Sequence, residues 1–311
     1  MPRYKLTVAY DGTDFCGWQK QEPRDPDAHP VKDDPGQRPP EHKIDRTLQA
    51  GEPGRVALRT VQAVVERAVR EVVREPVMLQ GASRTDSGVH ARGQVAAFTA
   101  ETWPEDRGLI PIIRGINARL PGDVLITRAQ IVPDAFDPIA DCQSKGYSYR
   151  IYQSIHRPLW QRRGVYHTWK NLDLDAMRTA AAHLVGEHDF ESFAAMHHGR
   201  ASTVRTIFAC DVTEEAPNQE PKASAHDASV GEGRLLRIDV SGNGFLYNMV
   251  RIIAGTLHEV GRGKIDPDSI PDILQAKDRR RAGVTLPPEG LRLEWIDYGD
   301  RDTVTTASDT V

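Results

Sequence analysis

The stretch Val77-Met78-Leu79-Gln80-Gly81-Ala82-Ser83-Arg84-Thr85-Asp86-Ser87-Gly88-Val89-His90-Ala91-Arg92-Gly93-Gln94-Val95-Ala96-Ala97-Phe98 holds two β-like runs, Val77–Leu79 and Val95–Phe98. Glycines at 81, 88 and 93 interrupt regular structure between them, so the middle reads as a loop joining two strands of one sheet. The loop carries one carboxylate, Asp86, among Arg84, Arg92 and His90. A neighbouring guanidinium pushes an Asp towards its ionised form, as a nucleophile or general base requires. Taken alone, the same residues read more simply as a polar turn with a surface ion pair between Arg84 and Asp86.

Upstream, Tyr4, Leu6, Val8 and Tyr10 alternate with polar or small residues, which predicts a strand ended by Asp11-Gly12. Residues 22–59 are rich in Pro, Asp, Gly and Arg without periodicity and are read as a mobile insertion. Thr60 is suited to cap a helix in which Val61, Val64, Val65, Ala68, Val69 and Val72 recur at helical spacing before Pro76. Downstream of the quoted stretch, Leu109, Ile112, Ile113 and Ile116 predict a second helix, and 124–131 a strand. The first half therefore has the order β-α-β-β-α-β.

The second half repeats that order. Residues 145–152 predict a strand with Tyr147, Tyr149 and Ile151 on one face. Asp173 is suited to cap a helix that stops at Gly186. Strands are predicted over 204–212 and 236–240, a helix from Phe245 to Val260, a short helix from Ser269, and a last strand over 291–295. The expected class is α+β: two tandem ferredoxin-like (split βαβ) halves forming a mainly antiparallel sheet with helices on one face. The expected divisions are 1–140, 141–300 with a polar hairpin insertion at 214–233, and a disordered tail at 301–311.

With 311 residues, 39% hydrophobic and 27% charged, the composition fits a water-soluble globular protein. No apolar run approaches a membrane span, and the start leads directly into a strand, so a cytoplasmic location without signal peptide is expected. Cys16, Cys142 and Cys210 are scattered, which argues against disulfides and a zinc site. The net charge of -4 hides a distribution. Acidic residues concentrate in predicted loops, whereas Lys145, Arg150, Arg157, Arg162, Arg163 and Lys170 occupy a segment without Asp or Glu. A local basic surface of this kind suits phosphate contacts.

No GxGxxG, GxxxxGK[ST] or Gly-x-Ser-x-Gly pattern is present. Gly242-Asn243-Gly244 precedes a predicted helix and fits either an anion site or a tight turn. The pairs His197-His198 and His183/His188 have spacings that suit no metal. Asp86 remains, with cationic and aromatic candidates elsewhere. Tyr147 reads as a sheet aromatic or a platform for a base. Arg251 lies beside the apolar stripe of its helix and either snorkels to water or meets a carboxylate in a cleft.

Several segments together resemble the tRNA pseudouridine synthase A family. Gly81 to His90 looks like the family's catalytic motif, and Tyr10 to Gln19 its first strand and turn. Asn117 to Asp123, Phe136-Asp137, Tyr147-Ser148-Tyr149, Gly186 to Phe190, Asn248 to Arg251 and Glu289-Gly290-Leu291 follow in the family's order. The resemblance implies isomerisation of uridine to pseudouridine in the tRNA anticodon stem-loop, at roughly positions 38 to 40. It also implies a homodimer with no cofactor and no metal. By the motif match Asp86 is the catalytic aspartate and Arg84 helps extrude the target nucleotide. Tyr147 stacks on the base, Arg251 pairs with the aspartate, Leu291 belongs to the pocket wall and His90 is a substrate-binding residue. Where the family has Phe-Asp-Ala-Arg, this chain has Phe136-Asp137-Pro138-Ile139 and lacks the cation. Two rivals are an RNA-binding protein without catalysis and an unrelated hydrolase. The joint presence of Asp86, Arg84, Tyr147 and Arg251 argues against the first, and the lack of a second carboxylate motif against the second.

Overall fold

Alternation along residues 3–10 folds as a strand, β1 (Arg3–Tyr10), with Tyr4, Leu6 and Val8 fully buried. The computed structural model describes residues 1–25, 43–48, 50–51, 53–103, 107–195, 201–215 and 233–302. The chain forms two compact units, Met1–Gln143 with Ile296–Val311, and Ser144–Trp295. The division thus differs from 140/141, because the chain returns to the first unit at its end. The class is α+β with mainly antiparallel strand pairing.

In the first unit β1 is followed by α1 (Val61–Val73), β2 (Gln80–Gly81), β3 (His90–Thr99), α2 (Leu109–Asn117) and β4 (Val124–Val132). The strand order is β4-β1-β3 with β2 on β3. Tyr4 faces Phe98 across the antiparallel register, their rings stacked at 5.3 Å. The valine stripe of α1 and Ile112 and Ile116 of α2 are buried, as their helical spacing requires.

Two local expectations are corrected. Thr60 occupies the N-cap of α1, but its hydroxyl makes no capping bond. The helix's first N–H groups are instead satisfied by main chain: Val61 donates to Gly17 O at 3.1 Å and Gln62 to Trp18 O at 3.0 Å. Residues 77–79 are not a strand, since side chains of α1 meet their backbone. Leu79 N donates to Glu66 Oε2 (3.0 Å), Gln62 Nε2 to Leu79 O (2.7 Å) and Arg70 Nε to Val77 O (2.8 Å). With those groups paired, no partner strand is needed.

The second unit contains β5 (Ser144–Gln153), β6 (Tyr166–Thr168), α3 (Leu174–Ala182), β7 (Gly186–Asp189), β8 (Val204–Glu215), β9 (Arg234–Gly242), α4 (Met249–Gly261) and α5 (Ile270–Ala276). The last strand is β10 (Leu291–Asp297), and the order is β10-β5-β9-β8-β7, with β6 parallel to β5. Asp173 caps α3, accepting from the N–H groups of Asp175 and Ala176. Gly186 opens β7 rather than only stopping a helix. The helix predicted from Phe245 begins at Met249, because Asn248 takes a left-handed conformation (φ 62°) and Phe245 turns edge-on to Tyr147.

The end of the chain covers β1. Tyr298 packs edge-on against Phe136 at 4.9 Å and donates to Pro138 O at 2.9 Å. Lys5, 5% exposed, lies 5.4 Å from the Tyr298 ring and is ion-paired with Asp302. Residues 301 and 302, expected in a disordered tail, therefore belong to a short helical turn (Gly299–Asp302) that supplies this lysine's counter-charge. Residues 303–311, half of the insertion at 22–59 and most of the hairpin at 214–233 lie outside the described residues. Tyr298→Ala is expected to lower the stability of the first unit by about 3–5 kcal/mol. Tyr298→Phe, which loses only the hydroxyl bond, is expected to cost about 0.5–1.5 kcal/mol. Urea unfolding measures both, and equal midpoints for parent and Tyr298→Ala would remove the residue from this core.

Candidate active site

The loop carrying Asp86 runs from the end of β2 to the start of β3 and is anchored residue by residue. The fully buried amide of Gln94 spans its entry: Ser83 N donates to Gln94 Oε1 (3.2 Å), and Gln94 Nε2 to Ser83 O (2.5 Å). Trp18 N donates to Thr85 O at 3.0 Å, and the Thr85 and Tyr10 hydroxyls are 2.8 Å apart. Ser87 Oγ donates to Phe15 O (3.0 Å) and accepts from Lys43 Nζ (2.7 Å). Val89 N closes the turn on Asp86 O at 3.1 Å. Ser83 and Thr85 point inward and are buried, whereas Arg84 is exposed and Asp86 half-exposed. The first motif of the chain, residues 10–19, is thus the bed on which the Asp86 loop lies.

Gly17 has φ +84°, and a Cβ there would stand 2.6 Å from Thr85 O. Only glycine combines this backbone with so close an approach. His90 opens β3 and is 8% exposed. Its Nδ1 accepts from Gly12 N at 3.1 Å and lies 3.2 Å from Asp11 Oδ1, which directs the ring to the Asp11-Gly12 turn. Arg84 borders a hollow of about 560 Å³ together with Trp18, Gln19, Met78 and Ile139. Ile139, where the resemblance led to the expectation of a cation, is exposed. Beside it Asp137 is held below the usual carboxylate range by hydrogen bonds from Ala140 N–H, the Gln80 amide and Ile139 N–H.

In the second unit Tyr147 is 8% exposed on β5, its ring edge-on to Phe245 at 5.3 Å. Arg251 projects from the first turn of α4, where Nε donates to Leu286 O (2.7 Å) and Nη1 to Asn248 Oδ1 (2.9 Å). The segment supplying Leu286 lies close along α4. A Cβ on Gly255 would meet Val284 O at 1.8 Å, so this approach requires glycine. The same segment receives the Tyr149 hydroxyl on Pro287 O (2.8 Å) and continues to Leu291, buried at the start of β10. Arg251 and Leu291 are therefore tied to one strip of this unit, and Tyr147 stands two residues before Tyr149 on β5. Arg84, Asp86 and His90 share the loop of the first.

Tyr10, Trp18, Thr85, Gln94, Asn248 and Leu286 support these groups, a role that the sequence reading assigned to none of them. Gln94 before an apolar run was the readable signal; main-chain carbonyls such as Leu286 O leave none. Gly242-Asn243-Gly244 is a tight turn: Asn243 Oδ1 accepts from Thr206 N (3.0 Å), and α4 begins only at Met249. His183 Nε2 is 3.3 Å from Asp268, and His188 Nε2 is 3.1 Å from Val185 O. His197 and His198 lie outside the described residues.

Residues 180–299 match the family model described as tRNA pseudouridine synthase. The chain is 38% identical over 299 residues to tRNA pseudouridine synthase A of Geotalea uraniireducens, covering 96% of this chain and 100% of the relative. The chain belongs to the tRNA pseudouridine synthase A family. The Acetivibrio thermocellus tRNA pseudouridine synthase A is 36% identical over 299 residues (96% and 100% covered). The Clostridium perfringens tRNA pseudouridine synthase A 2 is 34% identical over 298 (96% and 100%). Members of this family are isomerases, and no described helix here is long and apolar enough to cross a membrane.

Gly17→Ala is expected to destabilise the bed of the loop by about 1–3 kcal/mol through backbone strain. Amide exchange at Trp18 and Val61 is expected to accelerate with it, because both bonds pass through residues 17 and 18. Unchanged protection at Trp18 would show that the loop does not depend on this contact.

Proposed function

We propose that this protein converts uridine to pseudouridine in the tRNA anticodon stem-loop, with Asp86 as the catalytic carboxylate. The observation that carries this reading is the loop itself. Its neighbours on either side, Thr85 and Ser87, are bound to the main chain of residues 15–18, which fixes the backbone that carries Asp86, half-buried, beside the exposed Arg84. A carboxylate displayed on so fixed a turn is preorganised for one geometry.

The reaction breaks the bond between C1′ of ribose and N1 of uracil, turns the base, and joins C1′ to C5. The C5 proton is lost and N1 gains one, so atoms and electrons balance without redox change. Attack on C1′ and removal of a proton from C2′ both need an ionised carboxylate. In this proposal Arg251 holds Asp86 ionised and oriented, a role supported by the two bonds that fix its guanidinium. Tyr147 stacks on the flipped base, supported by its ring being braced by Phe245. Leu291 forms apolar wall, Arg84 helps to draw the nucleotide from the stack, and His90 positions the Asp11-Gly12 turn beneath the loop. The wider proposal is a cytoplasmic homodimer of two ferredoxin-like units per chain, using no cofactor and no metal.

Unmodified tRNA treated with Asp86→Asn or Asp86→Ala protein is expected to be bound but to contain no pseudouridine. Turnover near the parent level in either variant would sink the assignment. Tyr147→Phe is expected to keep binding and lose turnover, read by single-turnover kinetics; an unchanged rate leaves stacking as its role.

A further inference from the structure

The segment from Ile155 to Lys170 is not used by the chemistry, yet it is built unlike an ordinary surface loop. It leaves β5 and returns through β6. Ile155 is 84% exposed, Leu159 59%, Trp160 80% and Trp169 67%. Single exposed apolar side chains are common, but four within sixteen residues mark an interaction surface. The display is held by an ordered turn. Arg162 Nη1 donates to Leu159 O (2.7 Å), Gly164 N donates to Gln161 O (2.9 Å), and Val165 behind them is buried. Trp160 therefore stands out because the turn holds it there.

The charges that this segment itself carries are of one sign. Arg157, Arg162, Arg163 and Lys170 are exposed, and residues 145–172 contain no Asp or Glu. Arg157 and Arg162 line a hollow of about 430 Å³ with Leu159 and His167, where Glu289 is the one carboxylate among the lining residues. Lys170 Nζ lies 5.7 Å from the centre of the Trp169 ring.

We propose that this surface, formed by Arg157, Trp160, Arg162, Trp169 and Lys170, is a docking site for the tRNA backbone and an unstacked base away from the reacting uridine. The proposal rests on the tRNA reading above. Guanidinium groups meet phosphates, and an exposed indole offers a stacking face to any base. A second copy of this chain is the less suitable occupant. A twofold contact would set this patch against itself, cation against cation, whereas a polyanion neutralises it.

The test uses full-length protein and transcribed tRNA. The double variant Arg157→Ala/Arg162→Ala is expected to bind about tenfold more weakly near 0.1 M salt, with a log–log salt slope shallower by about 1.4–1.8. Arg157→Lys/Arg162→Lys, which keeps the charge, is expected to retain the parent slope. Trp160→Ala is expected to weaken binding by about 5- to 150-fold. All three are expected to form pseudouridine at the parent rate when tRNA is saturating. Unaltered affinity and slope in the alanine variants would overturn the proposal, as would equal loss in the lysine pair. A change of oligomeric state on Trp160→Ala, followed by sedimentation, would assign the surface to a second copy instead. Absence of pseudouridine with the parent protein would count against the catalytic reading alone, since the binding measurements stand without turnover.

Discussion

Two peptide units, at Gly17 and Trp18, hold together the parts of the first unit that matter for chemistry. The carbonyls of both accept the first N–H groups of α1, and the Trp18 N–H reaches Thr85 O inside the Asp86 loop. Buried main-chain groups must be paired, so the start of a helix and the base of a loop are solved by the same short segment. Thr60 can consequently stand at the N-cap without a bond from its hydroxyl. The left-handed turn at Gly17 is what lets the backbone come near enough to do this.

In the second unit the comparable device is the strip from Gly283 to Leu291. It takes the Arg251 guanidinium on one carbonyl and the Tyr149 hydroxyl on the next. Gly283 N also donates to Thr256 Oγ1 at 2.9 Å and Leu286 N to Arg251 O at 3.3 Å, so the strip is fixed to α4 at its start and again at Leu286. An arginine on the first turn of a helix would ordinarily reach into water. Here two oxygen acceptors set the direction of its head.

Periodicity made much of this architecture readable in advance. The alternation of Tyr4, Leu6, Val8 and Tyr10, the valine stripe of α1 and the Asp173 cap all appear where their patterns put them, because each answers to neighbours in sequence. The departures have one cause, which is partners far along the chain. Residues 77–79 lost their strand to side chains of α1, and Asn248 and Phe245 shortened α4 at its start. The strand β6 was missed because three residues pairing with β5 carry no periodic signal. For the site, the residue types and motif order singled out Asp86, Arg84, Tyr147 and Arg251 as candidates. The supports that orient them are largely main-chain atoms, which residue identity does not reveal.

The packing of Tyr298 and Asp302 on β1 has a consequence for how the chain matures at the ribosome. Residues 1–143 emerge first and contain both described helices and the four described strands β1 to β4 of the first unit. They still leave Phe136 without its aromatic partner and Lys5 without its counter-charge until residues 298–302 have been made. Domains tend to fold in order of synthesis. In this protein the earlier unit waits for residues 298–302, so a chain broken off before them exposes an apolar patch and a lysine that these residues cover.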